Sequence, residues 1–140
     1  MKNIYEVFDE FENASTKEER ISSLQKNDCY ALRQILRGTF DPSIEFAIER
    51  VPNYKPSDSP AGLGYTSIHQ ELGRTYLFQR EHPKLSPDLT IARREQILVQ
   101  ILETLEAREA IVFMNMILKK QKVRGLDMQI VQEAFPNLLA

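Results

Sequence analysis

The sequence predicts an all-α protein in which residues 1–140 form one compact multi-helix domain. Apolar residues recur at helical spacing along most of the chain, helix-capping residues precede several of these stretches, and prolines concentrate in one segment. The length of 140 residues corresponds to about one domain. A content of 42% hydrophobic and 27% charged residues is typical of a globular protein.

The first predicted helix has one apolar face, because four large apolar residues fall at positions i, i+3, i+4 and i+7. These residues are Ile4, Val7, Phe8 and Phe11. The second helix begins at two overlapping capping boxes, in which an acidic side chain follows a hydroxyl side chain by three residues. The boxes are Ser15 with Glu18 and Thr16 with Glu19. We expect this helix to bury Ile21 and Leu24.

The third predicted helix follows a turn at Asn27 and Asp28, and Asp28 is a suitable N-cap. Gly38 is expected to end it in a left-handed conformation, as glycine often does at a helix C-terminus. The apolar residues of this helix are Tyr30, Leu32, Ile35 and Leu36.

The segment after the third helix has two interpretations. Ile44, Phe46 and Ile48 alternate with other residues, which is the period of a β-strand. Pro42 directly after Asp41 is also a helix-start signal, so both interpretations stay open.

An irregular loop is predicted over residues 51–65, which contain three prolines and two glycines. A fourth helix begins at Thr66 or Ser67 and ends before Pro83. One face of this helix carries Ile68, Leu72 and Tyr76.

The remaining chain is also predicted to be helical. Residues 88–121 lack proline and glycine, and they form one long helix or two helices joined near residues 106–108. Two helices are favoured, because uncapped helices beyond about 25 residues are unusual in compact domains. Gly125 ends this region and Asp127 caps a last short helix. That helix buries Ile130, Val131 and Ala134 and is closed by Pro136.

The residue types favour a non-enzymatic protein without metal or cofactor. Cys29 is the single cysteine, which excludes an internal disulfide, and its apolar neighbours indicate a buried, unreactive thiol. His69 and His82 are too few and too distant for a zinc site and are expected at the surface. Two acidic pairs are interpreted as solvated helix faces: Glu18 with Glu19, and Glu106 with Glu109.

Membrane insertion and secretion are not expected. No apolar run approaches the length that a bilayer requires. Asp9, Glu10 and Glu12 lie where a signal peptide needs an uncharged core. We therefore expect a cytoplasmic location.

The most concentrated charge is a run of four cations in six residues at a predicted helix end: Lys119, Lys120, Lys122 and Arg124. These cations either complement the helix dipole or contact phosphates, and the sequence leaves both open. A net charge of −2 gives no whole-molecule signature of a nucleic-acid binder, so any such binding requires a local patch. Arg93 and Arg94 either extend this patch or form a solvated face.

A second candidate phosphate site is the Gly62-Leu63-Gly64 element, because backbone amides at a helix start can bind phosphate. A plain flexible loop is the favoured interpretation, since the element lacks the third glycine and the preceding strand of a dinucleotide site. If phosphate binds there, three residues would assist: Lys55, Thr66 and Ser67.

Two stretches resemble the helical N-terminal DNA-binding domain of ATP-dependent DNA ligases, especially those of T-even-type phages. The first stretch runs from Ala14 to Arg20 and continues through Leu24, Lys26, Asn27, Leu32, Ile35, Leu36, Phe40, Asp41 and Pro42. The second comprises Ile117, Leu118, Lys119, Lys120, Gly125, Ile130, Val131 and residues 134–139. The chain is also similar to small proteins of T-even-like cyanophages.

The resemblance implies a domain that grips duplex DNA through its minor groove and backbone, in the cytoplasm of a phage-infected host. It implies no catalysis, because the nucleotidyl-lysine motif KxDG of the ligase adenylation domain is missing. Where the ligase pattern has Arg-Asp-Leu before its glycine, this chain has Lys120-Gln121-Lys122 before Gly125. The positive charge is kept, but the signature is lost.

Two functions follow from these observations. The first is a DNA-binding module for duplex DNA, nicked or intact, that contacts phosphates. The alternative is a protein-interaction module for a phage or host protein, in which the DNA surface is lost. An exposed apolar patch would favour the alternative, and the candidate residues are Tyr54, Leu63 and Tyr65.

Overall fold

A computed structural model describes residues 2–60 and 63–140. Within them the structure is entirely helical apart from loops and one isolated β-bridge, which confirms the all-α prediction. Seven α-helices and one 3-10 helix follow in the order α1 (Ile4–Asn13), α2 (Lys17–Lys26), α3 (Tyr30–Phe40), α4 (Ile68–Glu71), the 3-10 helix (Leu72–Phe78), α5 (Ile91–Thr104), α6 (Ala107–Ile117) and α7 (Met128–Ala134). None of the described helices has the length and apolarity needed to cross a bilayer.

Helix α6 is the central element, since it contacts α1, α3, α4 and α5. Phe113 of α6 is fully buried and meets Phe78 edge to face, with ring centroids 6.3 Å apart. The predicted apolar face of α1 is buried in the same core. Burying each such large side chain contributes roughly 1.5–3 kcal/mol.

Several predicted helix ends are confirmed. The Oγ1 atom of Thr16 accepts a hydrogen bond from Glu19 N (3.1 Å) at the start of α2. Ser67 caps α4, and Asp127 caps α7 by accepting from Ile130 N (2.9 Å). Gly125 adopts a φ of +85°, which suits a glycine between α6 and α7.

The predicted cap of α3 is wrong. Asp28 does not cap the helix, because its carboxylate binds Arg33 through two hydrogen bonds of 2.7 and 2.9 Å. Cys29 is the N-cap instead, and its Sγ accepts from Leu32 N at 3.4 Å. The thiol is half-buried rather than buried, because it lies at the helix end against the edge of the core.

The predicted helix end at Gly38 is also wrong, because α3 continues to Phe40 and Gly38 has no positive φ. Close packing against α6 explains the glycine. A Cβ at this position would lie 2.6 Å from both Cγ and Sδ of Met116, which is fully buried.

Gly38→Ala is expected to lower the free energy of unfolding by about 1–2 kcal/mol, because Met116 must shift in a filled core. The matched control is Gly73→Ala, since a Cβ at Gly73 meets no atom within 4 Å. Urea unfolding monitored by circular dichroism measures both. A Gly38→Ala protein as stable as the control would contradict the packing argument.

The structure decides the secondary structure of three segments: the one after α3, the predicted loop and the long predicted helical region. Phe46 forms an isolated antiparallel bridge with Gln79, so the strand-like alternation produces only one bridge. Residues 51–60 and 63–65 contain no helix or strand, as predicted for the loop, and residues 61 and 62 lie outside the described part. The long predicted helical region is divided at Leu105 and Glu106, whose ψ angles of 150° and 143° are extended.

Candidate nucleic-acid interface

The four predicted cations lie in the basic segment, which we define as residues 119–124 between α6 and α7. Lys119 has a φ of 59°, and this left-handed residue turns the chain away from the axis of α6. The following side chains alternate in direction. Gln121 points into the protein, whereas Lys120, Lys122 and Arg124 are exposed.

Lys119 is committed to the interior of the fold. Its Nζ donates to the backbone carbonyls of Gly38 (2.8 Å), Asp41 (2.9 Å) and Ile44 (2.7 Å). Burial lowers the pKa of Lys119, although the charges of Asp41 and Glu45 act in the opposite direction. All three ammonium protons have acceptors, so the prediction that Lys119 contacts phosphate does not fit its geometry.

Lys119 does complement a helix dipole, but at the end of α3 and not at the end of α6 as expected. Gly38 belongs to the last turn of α3, whose final carbonyls have no partner within the helix. A cation next to such carbonyls is favourable. Lys119 therefore stabilises the C-terminal end of α3 rather than that of α6.

Gln121 is a second internal anchor of the basic segment. Its Nε2 donates to Val112 O on α6 (2.9 Å), and Thr39 Oγ1 on α3 lies 3.5 Å away. Lys119 and Gln121 together attach the segment to two core helices. The exposed cations between and after them are thereby held on a fixed backbone.

Lys120, Lys122 and Arg124 form no ion pair within the part of the chain that the structure describes, whereas several cations elsewhere are paired, for example Arg108 with Asp9 (2.8 Å). Acidic residues of α1 lie close by. Glu12 accepts a hydrogen bond from Arg124 N at 3.0 Å, and Lys122 lines a small cavity with Asp9 and Glu12. The Arg108 guanidinium lowers the pKa of Asp9 and neutralises part of this acidic edge.

The other predicted phosphate residues lie elsewhere and are used structurally. Thr66 N donates to Thr104 O (3.2 Å), and Ser67 Oγ caps α4. Lys55 is exposed, and its backbone N donates to Glu103 Oε2 at 2.8 Å. The cavity beside Thr66 and Ser67 is lined by carboxylates, which oppose phosphate binding.

This loop region and the basic segment are not brought together. Gly64, in the loop before α4, packs against the residue that precedes α6, since a Cβ at Gly64 would lie 2.9 Å from Glu106 N. The basic segment follows the opposite end of α6. The 11 residues of α6 correspond to a length of about 16 Å. Neither open interpretation applies to Arg94, because Arg94 is 8% exposed and donates to Gln79 O (3.0 Å), whereas Arg93 is exposed.

Glu106 and Glu109 were expected on a solvated face, and that prediction is wrong. Their exposed fractions are 6% and 4%. Glu106 accepts a hydrogen bond from the Tyr5 hydroxyl, and Glu109 Oε2 accepts from Ile68 N at 2.7 Å. Burial raises the pKa of Glu109, and burial together with Glu106 raises the pKa of Tyr5 to about 12.

The raised pKa of Glu109 predicts a specific pH dependence. The folded protein keeps this proton at pH values where the unfolded chain, with an ordinary carboxyl pKa of 4.5, has lost it. The stability contributed by Glu109 is therefore complete below pH 4.5 and declines as pH rises through the folded-state pKa.

Glu109→Gln keeps an acceptor for Ile68 N but cannot ionise, so it is the matched comparison. We expect the unfolding free energy of the wild type, minus that of Glu109→Gln, to fall between mildly acidic and neutral pH. Urea titrations across this range measure the difference. If this difference in unfolding free energy stayed constant or rose with pH, the raised pKa of Glu109 would be contradicted.

Comparison with known proteins adds one finding. A family profile described as a family of unknown function, DUF6433, matches residues 7–124. The chain belongs to the DUF6433 family. No curated protein matches it. The matched part of this DUF6433 protein includes α1 from residue 7 onward, α2 to α6 and the whole basic segment.

Proposed function

We propose that this protein is a non-catalytic DNA-binding module that contacts the phosphates of duplex DNA, nicked or intact, through Lys120, Lys122 and Arg124. The observation that carries the proposal is the basic segment, in which these three cations are exposed, lack ion pairs within the described residues and follow a backbone anchored by Lys119 and Gln121. Lys119, Lys55, Thr66 and Ser67 are not included.

The chemistry of the segment suits sequence-independent binding. Lysine and arginine that neutralise phosphates release counterions, so affinity depends strongly on salt. Such contacts position a protein on DNA without reading the bases. The resemblance to phage DNA ligases supports a duplex as the ligand and a role in phage DNA metabolism within the host cytoplasm.

The test is fluorescence anisotropy of the purified protein with labelled intact duplex, nicked duplex and single-stranded DNA at several salt concentrations. Three phosphate contacts predict a slope of about −3 when the logarithm of the association constant is plotted against the logarithm of salt concentration. Duplex binding with this slope would support the proposal. No duplex binding at low salt would refute it.

A second candidate function, binding of a phage or host protein, is favoured by one exposed pair. Leu63 is 69% exposed and Tyr65 is 85% exposed, and both precede α4. Tyr54 does not belong to this pair, because it packs partly buried against the core. If the pair binds a protein, Leu63→Ser with Tyr65→Ser should abolish co-purification of a partner that the wild type retains.

A further inference from the structure

A groove of about 380 Å³ lies between α3 and the 3-10 helix, on residues that the proposed duplex contacts do not use. Arg37 contributes to one wall, and His82 and Lys84 contribute to the other. None of its described lining residues is acidic, although the chain has 20 acidic residues and 18 lysines and arginines. The groove therefore favours an anionic ligand.

Aromatic rings accompany these cations. Tyr30, the first residue of α3, is 63% exposed at the groove. On the other wall Tyr76 and His82 form a tilted pair with ring centroids 5.1 Å apart. Flat aromatic faces next to cations are the combination that binds the bases and phosphates of unpaired nucleic acid.

One further cation, Lys119, lies behind the lining of the groove. Gly38 and Ile44 line the groove, and their carbonyls accept hydrogen bonds from the Lys119 ammonium. Asp41 interacts electrostatically with Arg37, but it is buried and accepts hydrogen bonds from Ser43 and from Ala140 N. No carboxylate belongs to the described lining of the groove, and Asp41 offsets part of the charge of Arg37 from behind the lining.

We propose that this groove binds one nucleotide unit, with its base against Tyr30 or Tyr76 and its phosphate at Arg37 and Lys84. The unit is either a free nucleotide or part of a single-stranded DNA segment. A volume of about 380 Å³ lies within the range of small-molecule sites. This site goes beyond the duplex contacts of the basic segment and does not depend on them.

The test measures the affinity of a fluorescent oligo-dT for variants of the groove and matched controls. Tyr30→Ala is compared with Tyr65→Ala, which also removes an exposed tyrosine, and Lys84→Gln is compared with Lys55→Gln. We expect each groove variant to lower the affinity by about fivefold or more, and each control to match the wild type.

Competition with dTMP shows whether the groove binds a free nucleotide or a nucleotide unit of a strand. Displacement indicates a free nucleotide, and failure to displace indicates a strand.

Two results would overturn this proposal: no binding of oligo-dT by the wild type at low salt, or groove variants that bind as their controls do. The duplex proposal fails separately. A protein with Lys120, Lys122 and Arg124 changed to Gln should lose duplex affinity while its oligo-dT binding still depends on Tyr30. If oligo-dT binding by this triple variant no longer depended on Tyr30, the groove would not be a site independent of the basic segment.

Discussion

Changing Lys120, Lys122 and Arg124 together to glutamine is expected to lower the affinity for intact duplex DNA by at least about tenfold at low salt. These side chains supply the three proposed phosphate contacts, so the slope against salt should also flatten by about 3. Anisotropy titrations of the wild type and the variant at several salt concentrations measure both effects.

The control for this variant removes the same amount of charge from another surface. Arg50→Gln, Lys55→Gln and Arg93→Gln together change three exposed cations that form no ion pair within the described residues. Each triple variant loses three positive charges, so its net charge changes from −2 to −5. Equal loss of affinity in both variants would show that overall charge, rather than the basic segment, controls binding.

Lys119→Met is expected to lower the free energy of unfolding by about 2–4 kcal/mol, because three carbonyls lose a charged donor. Methionine keeps the apolar stem of the side chain, and its backbone cost at the positive φ of residue 119 is that of lysine. The loss of stability therefore reports mainly on the ammonium group. Urea unfolding measures the change.

Lys120→Met is the neighbouring control, and its stability should stay within about 0.5 kcal/mol of the wild type because Lys120 is exposed. If both variants are equally stable, the three hydrogen bonds of Lys119 do not hold α3 as we describe. Lys119→Met should keep its duplex affinity under conditions where it is folded, in contrast to the triple variant of the basic segment.

Much of the fold could be predicted from local sequence signals. The apolar spacing in α1 and the capping residues Thr16, Ser67 and Asp127 depend on neighbours within one or two turns, and these predictions are confirmed. The errors have tertiary causes. Gly38 lies inside α3 because α6 packs against it, a contact between residues far apart in sequence.

The candidate interface could be predicted only in part. Four cations in six residues are visible in the sequence, but the side chains that point outward depend on where α6 ends. The left-handed turn at Lys119 directs that ammonium to carbonyls more than 70 residues earlier in the chain. The burial of Glu109 was missed because charged residues on helices are usually exposed.

The groove gives no local sequence signal. Its lining runs from Tyr30 on α3 to Lys84 beyond the 3-10 helix, and only the folded chain brings these residues together. The bridge between Phe46 and Gln79 is part of this arrangement. Aromatic and cationic residues at such distances in sequence cannot be recognised as one site without the structure.

Backbone amide NMR of the wild-type protein, during titration with a short intact duplex at low salt, tests DNA binding by the basic segment most directly. We expect the largest chemical shift changes at residues 120–124, and reversal of these changes when salt is added. Changes confined to Leu63, Tyr65 and their neighbours, or no changes at all, would contradict DNA binding by the basic segment.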